Sequence, residues 1–154
     1  MIYSVFIHQR YTGLLLVEVN FKPLDISTDL VPGFITAFKA FLREALQVCE
    51  ERDMVIQYDN YVMFIVPFLD FDVDITILAE RKDCYFVELL YPYLENVVKN
   101  HYEDFLQFEK TQNIHTMQEL KEKLMEMFSS RELGNIMKIP HQNCVNIKEK
   151  IRSI

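Results

Sequence analysis

The chain has 154 residues, a formal net charge of −7, 12 Phe and 8 Tyr, and hydrophobic side chains at 50% of its positions. That length suits one domain with a substantial core, and the aromatic content excludes a disordered chain unable to offset its conformational entropy. The apolar runs at 14–17 and 62–66 are far too short to span a bilayer, and the start lacks the basic region and small-residue cleavage site of a signal peptide, so the expected location is cytoplasmic.

Residues 2–7 are apolar on both parities, with Ile2 and Phe6 on one side and Tyr3, Val5 and Ile7 on the other, which predicts a central strand covered on both faces. Residues 9–13 turn the chain into a second strand over 14–21, where Leu15, Val17, Val19 and Phe21 share a face and Glu18 and Asn20 emerge opposite. After a loop around Pro23, Ser27, Thr28 or Asp29 can cap a helix that tolerates Pro32 in its first turn and runs to about Cys49. Phe34, Ala37, Phe38, Phe41, Leu42, Ala45 and Cys49 recur at helical spacing and predict its buried face, while Thr36, Lys39, Arg43, Gln47 and Glu50 form the expected wet stripe.

A three-strand meander follows. Met54, Val55, Ile56 and Tyr58 make its first run, Asp59 and Asn60 a two-residue turn, and residues 61–68 a run rich in β-branched and aromatic side chains. Asp70, Phe71 and Asp72 turn the chain into a third run over 73–79, with Val73, Ile75 and Ile77 on one face and Thr76 and Leu78 on the other. Asp83 can then cap a long second helix to about Phe108, lined on one side by Phe86, Leu90, Leu94, Val97, His101 and Phe105, with a kink or a late start expected at Pro92. Thr116 and Glu119 fit a capping box for a third helix that buries Leu120, Leu124, Met127 and Phe128 and ends at Ser129, Ser130 or Gly134. Beyond Pro140, Ile147, Ile151 and Ile154 with Lys148, Lys150 and Arg152 suit a short basic amphipathic turn. The division expected is a domain over 1–130 and a partly helical extension over 131–154.

Charge is uneven, with 18 acidic and 9 basic groups over 1–110 against 5 acidic and 7 basic over 111–154. An acidic body without a basic stripe argues against nucleic acid as a partner. Three cysteines, Cys49, Cys84 and Cys144, and four histidines, His8, His101, His115 and His141, are too scattered for a disulfide framework or a zinc site. Asp70, Asp72 and Asp74 resemble the start of a calcium loop, but Ile75 stands where glycine belongs and Arg81 where the bidentate glutamate belongs. There is no phosphate loop or nucleophile elbow, and His101 lacks a nucleophile at a telling distance. The expectation is a protein without catalytic residues, metal or cofactor.

The order strand, strand, helix, three-strand meander, helix, helix over 1–128, with a start directly in a strand and the Asp59, Asn60, Tyr61 hairpin, resembles the longin domain, as found in longins, adaptor sigma chains and sedlin-type tethering subunits. The resemblance implies an α+β, profilin-like fold: a five-stranded antiparallel sheet with the first and last strands central, one helix on one face and two on the other. It also implies a non-catalytic interaction domain of membrane trafficking, an adaptor, a tethering subunit or a small-GTPase regulator. Expected partners are a small GTPase, a SNARE segment or another longin- or roadblock-like subunit, with homo- or heterodimerisation and possible peripheral association with membranes. Phe38, Leu42, Met54, Ile56 and Tyr58 are the candidate partner-binding residues, on a groove between the first helix and the 54–58 strand. A roadblock-like dimerisation scaffold, or a small-ligand sensor or enzyme on a profilin-like scaffold, is the alternative.

Overall fold

The structure, a computed structural model, describes residues 1–23, 27–28, 30–47 and 52–129. The expected cap at Asp29, the helix end at Cys49, the stops at Ser130 and Gly134 and the 131–154 extension lie outside the described residues.

Five strands form one antiparallel sheet: β1 (Ile2–Gln9), β2 (Leu15–Asn20), β3 (Met54–Tyr58), β4 (Tyr61–Phe68) and β5 (Val73–Glu80), in the order β2-β1-β5-β4-β3. The first and last strands are therefore inner strands, as expected. Tyr58 pairs with Tyr61 across the two-residue turn, and Asp59 supplies it with a left-handed φ of 50°. Gly13, at φ +69°, closes the β1–β2 turn where its amide donates to the Gln9 carbonyl at 3.0 Å. A register shift between Ile7 and His8 sets both Leu16 and Val17 among the buried residues of the core, so β2 is not the strict alternation its sequence suggests.

Helix α1 (Leu30–Leu46) carries the chain from the β2 edge to the β3 edge, over one face of the sheet. Gln47, at φ 54°, ends it with its amide on the Arg43 carbonyl at 3.1 Å. The Thr28 hydroxyl donates to Glu18 at 2.9 Å, and the Thr28 carbonyl accepts from the Val31 amide at 3.3 Å.

The opposite face carries α2 (Cys84–Asn100), α3 (Tyr102–Thr111) and α4 (Gln118–Ser129), and their Val87, Leu90, Leu94, Val98, Phe105, Phe108, Leu120 and Leu124 build the main core on Val5, Ile7, Ile75 and Ile77. The long second helix expected from the sequence is two helices, and it breaks at His101 (φ −106°, ψ 32°) rather than at Pro92. Pro92 is exposed within α2; Leu90 and Leu94 are buried as expected, Phe86 and Val97 pack half-buried on the same core, and Val87 and Val98, not expected there, are fully buried beside them. His101 folds its Nδ1 back onto the Val97 carbonyl at 2.8 Å, which ends the helical run locally. Asp83 makes no side-chain cap, and the expected capping box is replaced by Asn113, whose side chain accepts from the His115 amide at 3.1 Å while Thr116 donates to the Asn113 carbonyl.

Candidate functional site

Helix α1 faces the sheet with Val31, Pro32, Ile35 and Lys39, a row at spacings of three and four. This reverses the expected orientation: Phe34 and Phe41, read as core, are 53% and 58% exposed, Leu46 is exposed, and Lys39, read as wet, is 2% exposed. The reason lies in the sheet beneath. Asp74 on β5 is fully buried there, and the Lys39 ammonium donates to both of its oxygens at 2.8 and 2.7 Å. A buried carboxylate without a counter-ion costs several kcal/mol, roughly, so the helix settles with its cation inward and its phenylalanines outward.

Arg10 joins the same carboxylate, Nε to Oδ1 at 3.5 Å, and His8 contacts the Thr76 hydroxyl through Nε2 at 3.1 Å. Burial pushes the His8 pKa below its usual value, with the field of Asp74 opposing and that of Lys39 reinforcing the shift. All five side chains are closed off from solvent, which suits them to holding α1 on the sheet. Phe6, Val31, Ile35 and Ile65 form a small apolar cluster beside them, with Leu15, Met54, Ile56 and Met63 half-buried against it. Sequence reasoning missed this polar cluster because it joins three separate segments; the signals available were the strand spacing of two in His8 with Arg10 and in Asp74 with Thr76, and a lysine four residues after Ile35 in the row Val31, Ile35.

Of the five expected partner-binding residues, Met54 and Ile56 pack together on the α1 side of the sheet. Phe38 and Leu42 are half-buried on α1, with the Phe38 ring stacked on Phe34 at 5.8 Å and 10°. Tyr58 stands apart at the hairpin end, 82% exposed. Strand β3 pairs with β4 on one side and, among the described residues, with no strand on the other.

Two hollows lie elsewhere. A polar one of about 350 Å³ is lined by Tyr3, Asn60, Tyr61, Glu80, Arg81 and Lys82, and the Lys82 ammonium at 2.6 Å helps to hold the Glu80 carboxyl at about 2. The other, of about 300 Å³, separates β3 and β4 from α2 on the main-core side. Among the described residues no group of three or more His, Cys, Asp or Glu is placed to hold a metal ion, and no helix is long and apolar enough to cross a membrane. Fold and surface together define an α+β protein with a five-stranded antiparallel sheet and a helix with exposed aromatic side chains, beside a strand that is outermost in the sheet among the described residues. No protein-family model matches the chain, and no curated protein matches it.

Proposed function

We propose that the chain is a non-catalytic interaction module of the longin, profilin-like type, serving membrane trafficking in the cytoplasm as an adaptor, tethering or small-GTPase regulatory subunit. The observation that supports it most is α1 turned with Phe34 and Phe41 to solvent, next to an edge strand whose outer backbone groups have no strand partner among the described residues. Contiguous apolar surface on a helix gains about 25 cal/mol per Å² when a partner covers it, and an unpaired edge offers a ready register for an added strand. The partner in this reading is another protein chain, a small GTPase, a SNARE segment or a longin-like subunit, lying along Phe38, Leu42, Met54 and Ile56.

Photocrosslinkers placed at Phe41 and at Ile56, with partners identified by mass spectrometry, test it. The reading expects one partner captured from both positions and lost on Phe34→Ser. Capture from neither position, or of chains unrelated to trafficking, would sink it.

A further inference from the structure

The cleft between the β3–β4 hairpin and α2 has an apolar floor and an acidic rim. Successive β3 residues face opposite sides of the sheet, so Met54 and Ile56 belong to the α1 side while Val55 turns to the α2 side, opposite Phe64 and, beyond it, Ile77. Val55, Phe64, Val66 and Val87 give the cleft its floor. Its volume of about 300 Å³ is that of a small ligand pocket, enough for a few apolar side chains but not for a large cofactor.

Asp53 and Glu88 stand at the rim, both exposed, and among the described residues neither is paired with a cation. Tyr91 lines the cleft with them, and its hydroxyl is pushed up to about 12, by burial first and then by the carboxylates of Glu95 and Asp53. The cleft thus combines a negative field with a hydrophobic base. A neutral apolar ligand leaves that field unanswered, and an acidic one is repelled by it.

We propose that this cleft docks a basic amphipathic peptide segment of a partner protein, one that sets isoleucine- or leucine-like side chains on Phe64, Val66 and Val87 and lysine or arginine against Asp53 and Glu88. The surface lies across the sheet from the aromatic stripe of α1, and the proposal stands whether or not that stripe binds anything.

The chain has no tryptophan, so one in an added peptide is a clean fluorescent reporter. The full chain is titrated with a short peptide bearing isoleucine at every third or fourth position, lysines between and one tryptophan, and with the same peptide carrying glutamate for lysine. The lysine peptide should bind at least about tenfold more tightly, and more weakly as salt rises. Asp53→Lys and Glu88→Lys, at exposed positions that leave thermal stability intact, should each weaken it by about tenfold, whereas Phe34→Ser should change nothing. Equal binding of the two peptides, or indifference to both charge reversals, would overturn the proposal. Tighter peptide binding by the chain carrying Lys148→Glu and Lys150→Glu would assign the cleft to the chain's own basic segment and overturn the partner assignment.

Discussion

Asp74 holds two cations and one helix at a single buried carboxylate. Its removal leaves Lys39 and Arg10 inside the protein facing a neutral side chain, and breaking a buried pair costs about 3–5 kcal/mol. Asp74→Ala is therefore expected to lower the urea midpoint severely, far beyond the effect of an exposed Asp70→Ala.

His8 adds a pH dependence. Its folded pKa lies below the ordinary 6.5, chiefly through burial, so between the two values the unfolded chain binds more protons than the folded one. The stability it contributes is full above pH 6.5 and is lost as pH falls through its folded-state value. Denaturation curves collected down through that range should show this decline in the parent, and His8→Gln should flatten that portion of it.

Gly13 is constrained twice, by its positive φ and by the 2.9 Å that a Cβ would leave to the Thr36 hydroxyl and 3.2 Å to the Pro32 carbonyl. Gly13→Ala should cost more than about 1 kcal/mol, read from the same unfolding curves.

At the scale of elements, α1 is the informative case. Ile35 is fully buried and Phe34 is half in solvent, so Ile35→Ala should cost about 2–5 kcal/mol and Phe34→Ala no more than about 0.5 kcal/mol. The periodicity of Phe34, Phe38 and Phe41 predicts the opposite ranking, which makes the pair of variants a direct measurement of the helix's rotation. The strands behaved differently. Each run of the 54–80 meander sits within one residue of its expected bounds, because β-branched and aromatic density, bounded by Asp-Asn and Asp-Phe-Asp turns, is local information. The break at His101 was not legible, since it depends on one side chain turning back to the Val97 carbonyl.

For the whole molecule, β3 is an outer edge and its neighbours on both faces are partly apolar, through Ile56 on one side and Val55 on the other. Pairing of two copies, or of this chain with a related one, through that edge is the expected assembly in the longin-like reading. Sedimentation velocity across a concentration series should show a rising mass that Ile56→Lys abolishes. A constant monomer mass in both proteins would remove the homodimer from that reading.

The sequence by itself determined the class of structure over the described residues: an α+β arrangement, its five strands, the place of each turn and the stripe Leu120, Leu124 of the final described helix, all set by short-range patterns of polarity and turn residues. Of the expected partner-binding residues, it carried Met54 and Ile56 to a common apolar surface, since strand alternation is a period of two and β3 pairs with β4 in an unbroken register. Only the tertiary structure decided which face α1 buries, because its sequence offers two apolar rows, Val31 with Ile35 and Phe34 with Phe38. The choice between them was made by Asp74, 35 residues away from Lys39 in the chain and 2.7 Å from it in space.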